Sequence, residues 1–342
     1  MKFYEINLQL FANPNTNTAT IVNGEGKVVV NPNLSAEMKT FYDMTLIDEA
    51  TANLIHDQFG QKRPIPANGG RTIEFRKFYP LAKATTPLTE GVTPDGKSLS
   101  VNTITATVSQ YGDYITQSDV LELTALDNTI LEATKLLGRQ AGLTLDTVVR
   151  NVINGCTNVT YCPKVEADGT ETEVKSRADL DGTAKLTVKV IQQVVAKLRG
   201  QNAPTINGKY VAIIHPYVAY DLMRDPEWID AHKYANPTNL YEGEIGEIAG
   251  VRFVQTTEAK VFDGGVFSTL ILGEGAYGVT EITGGGLQTI VKQKGSAGTA
   301  DPLDQRSSVG WKALKTAEIL IQNYIVRVES KSPTFSATTA AN

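Results

Sequence analysis

The chain has 342 residues, 41% of them apolar and 20% charged, with 32 basic and 37 acidic side chains and a net charge of −5. That supplies a sizeable core and excludes a disordered polymer, and length alone suggests two domains or one domain with large excursions. The acidic balance gives no global electrostatic reason to bind nucleic acid or anionic lipid, and no run approaches the ~20 apolar residues of a membrane span.

The opening MKFYEINLQLFA has one lysine and an apolar run broken by Glu5, Asn7 and Gln9, so it does not read as a secretory signal. NPNTNTAT follows, with few bulky groups to hold it down. It reads as a tail, or as an arm that orders against a partner. LSAEMKTFYDMTLIDEATANLIHDQFG is helical in period, with Leu46, Ile47, Ala50, Leu54 and Ile55 on one face. RTIEFRKFY then alternates as a strand, with Ile73 and Phe75 opposite Glu74 and Arg76. PLAKATTPLTEGVTPDGK carries three prolines and two glycines and suits neither helix nor central strand. LSVNTITATVSQYGDYI resumes the alternation in polar residues. Together these segments predict a long two-stranded excursion too polar to build its own core. An isolated hairpin is marginal in water, so a neighbouring subunit is its natural support.

From Asp127 to Gly155 the period changes. Leu126, Ile130, Ala133, Leu137, Ala141, Leu145, Val148 and Val152 trace one helical stripe, with Asp127 as N-cap and Gly155 as stop. A rod of roughly 42 Å follows at ~1.5 Å per residue, long beside the ~11–12-residue mean helix. Gly138 and Gly142 inside it each cost up to ~1 kcal/mol of helix propensity, and their spacing of four points to another backbone passing close. Residues 160–182 read as a polar loop or small hairpin. LTVKVIQQVVAKLRG is an amphipathic helix, with Leu186, Val190, Ile191, Val194, Val195 and Leu198 inward and Gly200 as its stop. KYVAIIHP is a buried strand, and PYVAYDLMRDP a short helix begun by Pro216. GVRFVQT, FSTLILG and LQTIVKQ are further strands, and VGWKALKTAEILIQNYIVRVES reads as strands paired with each other through Ile319, Ile321, Val326 and Val328. SPTFSATTAAN reads as a loose tail. Strands and helices do not alternate strictly, so the fold class is α+β.

Few motifs offer chemistry. GEGAYG (273–278) matches a dinucleotide or ATP glycine pattern and follows the strand FSTLIL, but VTEITGGGLQTIVKQ after it cannot begin the helix such a site needs. Only 64 residues remain after Gly278, too few for a kinase lobe, and they contain no H-R-D or D-F-G triplet. GEGAYG therefore reads as a turn between strands. Cys156 and Cys162 lie six positions apart, neither a disulfide framework nor a C-x-x-C site, and read as reduced thiols. His56, His215 and His232 show no metal spacing, and His215, before Pro216, reads as structural. Glu242, Glu244 and Glu247 lack the spacing of a calcium loop and read as a solvated loop. Tyr79, Tyr111 and Tyr114 suggest contact surface near the excursion. Lys62, Arg63, Arg71, Arg76 and Lys77 suggest intersubunit ion pairs there, with packaged DNA as the second partner. No catalytic, cofactor or metal residues are assigned.

The order of polar arm, long excursion, very long helix, mixed domain and return strands resembles the major capsid proteins of tailed bacteriophages. MKFYEINLQLFA is similar to the opening of shell proteins from phages of Gram-positive hosts. FGQKRPIPANGGRTIEFRKFYPLAKATTPLTEGVTPDGKSLSVNTITATVSQYGDYITQSDVLELTALD is similar to the arm and extended loop of one capsid subfamily. GEIGEIAGVRFVQTTEA and DPLDQRSSVGWKALKTAEILIQNYIVRVES resemble its later segments, and the likeness runs over most of residues 40–330. It implies a tailed-phage major capsid fold with an N-terminal arm (1–60), a peripheral domain (61–184 and 301–330), an axial domain (185–300) and a tail (331–342). The peripheral domain would carry an extended β-hairpin loop (69–117) and a spine helix (127–155). It implies a non-enzymatic protein without cofactors, assembled in the bacterial host cytoplasm as pentamers and hexamers into an icosahedral head around double-stranded DNA. Implied partners are copies of itself, portal and scaffolding proteins, a decoration protein, and packaged DNA by non-specific contact; no membrane is implied. The alternatives are a tail or adhesin component of a virion and, from another class, a nucleotide-binding enzyme using GEGAYG.

Overall fold

The computed structural model describes residues 20–22, 28–30, 36–51, 53–64, 71–78, 81, 83–88, 90, 91, 93, 95–99, 101–124, 129–166, 168–233, 246–281, 287–296 and 301–342. In chain order they form β1 (Thr20–Val22), β2 (Val28–Val30), α1 (Ala36–Thr51), β3 (Gln61–Arg63), β4 (Thr72–Phe78), β5 (Val101–Thr107), β6 (Ser109–Ser118), α2 (Asp119–Thr124) and α3 (Thr129–Ile153). Then come β7 (Val159–Tyr161), β8 (Lys164–Val165), β9 (Glu171–Thr172), α4 (Val188–Gly200), β10 (Tyr210–Ile214), α5 (Pro216–Met223) and α6 (Pro226–Lys233). The rest is almost all strand: β11 (Glu247–Ile248), β12 (Val251–Gln255), β13 (Val261–Phe262), β14 (Val266–Leu272), β15 (Tyr277–Thr280), β16 (Leu287–Lys292), β17 (Arg306–Lys315), β18 (Ala317–Ile319) and β19 (Ile325–Lys331). The asparagine- and threonine-rich stretch up to residue 19, Asp127, Glu242 and Glu244 lie outside the described residues.

The chain divides into two units. The first comprises Met1–Leu54, Gln110–Leu145 and Ile282–Leu314. Its core gathers Leu46, Ala50 and Leu54 with Leu137, Ala141 and Leu145, and with Leu287, Val309, Trp311 and Ala313 of a three-stranded sheet ordered β16-β17-β6. The two glycines of α3 explain how α1 fits there. A Cβ on Gly138 would stand 2.9 Å from Glu49 Cβ and 3.0 Å from Leu46 O, and one on Gly142 would stand 3.0 Å from Asn53 Cβ. The spacing-of-four glycines thus admit the α1 backbone, and Arg139 Nε–Glu49 Oε2 at 3.0 Å fastens the same pair. Leu126 lies outside the described residues; the predicted stripe holds from Ile130 through Leu145 and then departs from expectation. Val149 and Ile153 are fully buried, whereas Val148 and Val152 are half-buried. Strict steps of four drift about 40° round a 3.6-residue helix at each step, and Val149 and Ile153 accordingly pack into a different cluster from Leu145, with Ile213, Leu270 and Leu272.

The second unit comprises Ile55–Ser109, Asp146–Glu281 and Lys315–Asn342. Its sheet runs β11-β12-β10-β14-β19-β7, with β13 beside β14. β10 and β14 are buried at every residue, which is why both read as unbroken apolar runs rather than alternating ones. On one face Tyr210, Ala212 and Ile214 meet α4 through Val190, Ile191, Val194 and Leu198. On the other, Ile213, Leu270 and Leu272 meet Val149 and Ile153 of α3. The helix α4 runs through Gly200 and ends at Gln201, one position later than the expected stop.

Three expectations for this unit need correction. The strand 99–115 is not continuous: β5 ends at Thr107, and β6 belongs to the first unit's sheet beside β17. The C-terminal strands pair not with each other but with three different sheets: β17 with β16, β18 with β15, and β19 with β14 and β7. Alternation fixes which face of a strand is buried and leaves its partner open. The segment 332–342 is not a loose tail. Phe335 stacks on Tyr217 with ring centroids 4.2 Å apart, and Ser336 Oγ donates to Gly265 O at 2.7 Å. Asn342 accepts from the Val261 N–H at 2.9 Å and donates to Ala259 O at 3.2 Å.

His215 plays the structural role expected of it. It is the N-cap of α5, its Nδ1 accepting from the Tyr217 N–H at 3.2 Å, with Pro216 at the first helical turn. Burial pushes its pKa down from 6.5 to about 4, so the folded chain holds it neutral. Between those values the unfolded chain binds the extra proton, and stability falls as pH drops from 6.5 towards 4. His215→Asn keeps a capping acceptor without the titration. Its thermal midpoint is expected to vary less steeply with pH over that window; equal slopes in both proteins would refute the assignment.

Candidate assembly surface

The excursion begins as an antiparallel pair, β4 with β5, in register from Thr72↔Thr107 to Phe78↔Val101. Its two faces differ as the sequence requires. Ile73, Phe75, Ala106 and Val108 are buried with Leu320, and Ile104 and Ile321 pack at the margin. Glu74, Arg76, Thr103 and Thr105 are exposed. Support fades towards the tip, where Val101 is already 45% exposed. Beyond the strands every described residue from 81 to 99 is exposed and lies in neither helix nor strand. Leu81, Leu88 and Leu99 are among them, and Leu88, at 79%, is the most exposed large apolar side chain among the described residues. Of the residues that sequence reading placed near this surface, Lys62, Arg71, Arg76 and Tyr114 are exposed, whereas Tyr111 packs at the edge of the first unit's core.

The base of the excursion rests on the glycine motif. GEGAYG links β14 to β15 as a turn between strands, and each glycine has a steric duty. Gly273 passes 2.8 Å (measured from an added Cβ) from Pro204 O, Gly275 has φ +68°, and an added Cβ on Gly278 would lie 2.6 Å from Phe75 Cδ1. The bare backbone of Gly278 is therefore the floor on which the Phe75 ring lies. Gly278→Ala must displace that ring and is expected to cost about 1–3 kcal/mol, the usual toll of overpacking. Denaturant unfolding measures the loss, and limited proteolysis should show faster cleavage within 72–107. A variant as stable and as resistant as the parent would disprove this seating.

Beneath this base lies a buried polar cluster that sequence reading missed. His56 Nδ1 contacts Asp146 Oδ2 at 2.6 Å, and the His56 N–H donates to Asp146 Oδ1 at 2.7 Å, both side chains fully buried. The Tyr277 hydroxyl donates to His56 O. Lys315, fully buried, pairs with Asp57 and donates to Thr280 O at 2.9 Å. Burial lowers the Lys315 pKa against the opposing pull of Asp57, and burial holds the Tyr277 phenol well above its usual range. His56 pairs with Asp146 and Lys315 with Asp57, leaving His56 Nε2 buried without a hydrogen-bond partner, and the arrangement suits holding segments together.

Other candidates resolve simply. Glu247 in β11 pairs with Lys209. Cys156 and Cys162 are buried free thiols, and burial raises both pKa values, the opposite of an activated nucleophile. Among the described residues no group of three or more His, Cys, Asp and Glu could hold a metal ion, and no helix is long and apolar enough to cross a membrane.

The comparisons with known proteins agree with this geometry. Residues 35–276 match the phage capsid protein family, so the chain belongs to that family. It is a bacteriophage major capsid protein, a structural component of the virion capsid. No curated protein sequence matches it. Among solved structures it is similar to the capsid of the cyanophage P-SCSP1u (13% identity, 82% of this chain and 88% of that chain covered, TM-score 0.63). It is also similar to the capsid of Ralstonia phage GP4 (13% identity, 81% and 88%, TM-score 0.60) and to the capsid of Helicobacter pylori bacteriophage KHP30 (12% identity, 79% and 87%, TM-score 0.56). At such identities the likeness shows the fold, and that fold is the α+β tailed-phage capsid fold the sequence resembles.

Proposed function

We infer that this subunit assembles as pentamers and hexamers into an icosahedral head that encloses double-stranded DNA, and that it catalyses no reaction. The observation carrying this is the excursion. It reaches beyond its own apolar support, with leucines exposed on a segment of neither helix nor strand. Rings of identical subunits need heterologous contacts that close by rotation, and draped arms multiply weak contacts into avidity. In such a shell residues 1–60 serve as the arm, 61–184 and 301–330 as the peripheral domain, 185–300 as the axial domain and 331–342 as its C-terminal segment. The extended loop is 69–117 and the spine helix 127–155. Portal, scaffolding and decoration proteins are the further partners, DNA is met without sequence specificity, and assembly takes place in the host cytoplasm.

Negative-stain microscopy of the purified recombinant protein, with intact-mass analysis, tests the reading. Closed shells are expected. Tubes or fibres would favour a tail or adhesin component, and a compact monomer at high concentration would overturn assembly altogether. Thermal shift with NAD and ATP tests the enzyme alternative, since a ligand at 100-fold excess over its Kd stabilises by ~2.7 kcal/mol.

A further inference from the structure

The sheet of the second unit ends at β7, which pairs with β19 on one side and, among the described residues, has no strand on the other. The parallel ladder fixes which backbone groups that leaves free. The Arg327 N–H donates to Asn158 O at 3.0 Å and the Cys162 N–H to Glu329 O at 3.0 Å, so positions 158, 160 and 162 face β19. Val159 and Tyr161 therefore turn their N–H and C=O groups away from the sheet. Proteins commonly cover or blunt such an edge. Here a groove of about 460 Å³ runs beside Val159, Thr160 and Tyr161 instead. Glu171 of β9 and Glu173 just after it also line the groove, as do Lys189 and Gln193, one turn apart on α4. Lys189 Nζ meets Glu171 Oε2 at 2.6 Å, so those two charges cancel. Glu173 is exposed and has no ion-pair partner among the described residues. The groove thus sets one unmatched carboxylate beside a bare strand edge.

We propose that β7 takes an extended, lysine- or arginine-bearing segment of another protein as a further strand, with that cation set against Glu173. The inference goes beyond the shell reading and does not rest on it. Two features select the occupant. Backbone donors and acceptors spaced along a strand edge are matched by another extended backbone, and an unmatched carboxylate at the same edge favours a cation over an anion. A free ion or small amine would satisfy Glu173 alone and leave Val159 and Tyr161 unpaired. β7 is three residues long, so the added ladder is short and the contact belongs with weak, transient interfaces.

Two terminally blocked peptides test this on the full chain, one alternating threonine with lysine and the other threonine with glutamate. Fluorescence anisotropy is expected to show the lysine peptide binding about tenfold more tightly, since like charges oppose docking. Glu173→Lys, at an exposed position that leaves the core untouched, should invert that order. Amide hydrogen exchange adds a readout that charge attraction alone does not move: the lysine peptide should slow exchange at Val159 and Tyr161. Equal affinity for the two peptides, an unchanged preference in Glu173→Lys, or binding without slowed exchange at those two amides would each overturn the proposal. So would slow exchange at both amides before any peptide is added, which would mark the edge as already paired with a second copy.

Discussion

Removal of residues 80–97 is expected to leave a folded, soluble subunit, slightly more stable than the parent, that makes no shells. Every described residue from 81 to 99 is exposed, so the deletion takes no described residue from the core. The strands β4 and β5 end in register at Phe78↔Val101, and the deletion shortens their link from 22 residues (79–100) to four: Tyr79, Ser98, Leu99 and Ser100. Four residues are a common hairpin connection. Loop-closure entropy over that shortening contributes about 1–2 kcal/mol in favour of the folded state. Stability and assembly thus separate, which no simple misfolding account reproduces. Circular dichroism with a denaturant titration reads the first, and sedimentation with electron microscopy reads the second. Normal particles from the shortened chain would remove the excursion from the mechanism of assembly.

The elements were largely legible because their periods are strong. The stripe from Ile130 to Leu145, the inward face of α4, the apolar run of β10 and the Pro216 start of α5 each follow from local chemistry acting over one helix or strand. So did the meaning of Gly138 and Gly142, since two propensity-costing residues one turn apart need a reason, and the α1 backbone is that reason. What was not legible depends on tertiary pairing. Nothing local tells β17, β18 and β19 that they belong to three sheets, or that β6 leaves β5 at Val108. The segment around Phe335 is small and polar in composition like a linker, yet one aromatic ring on Tyr217 and the amide of Asn342 hold it. The function was legible mainly as a contradiction: a long excursion written in alternation, but too wet for a core of its own. GEGAYG shows the reverse hazard, a pattern with a chemical meaning elsewhere that here supplies three steric accommodations.

The buried cluster was the least legible feature, because His56, Asp57, Asp146, Tyr277, Thr280 and Lys315 come from four separate stretches of chain. It also carries the largest expected effect on stability. Lys315→Met removes the cation that faces Asp57 and leaves a carboxylate 5% exposed without its ion-pair partner. Breaking one side of a buried pair in this way costs about 3–5 kcal/mol, a large share of a typical domain's 5–15 kcal/mol. If charge balance rather than shape is the cause, replacing both members restores what replacing one destroys. The double variant Lys315→Met with Asp57→Leu should return to within about 1–2 kcal/mol of the parent, since apolar replacements of buried ion pairs are often neutral or stabilising. Thr280 O would still lose its Lys315 donor, which sets the lower limit on recovery. Urea unfolding of the parent, both single variants and the double closes the cycle. Additive losses across that cycle would show that Lys315 and Asp57 act separately, and that the pair is not what holds the segment around Asp57 to Lys315.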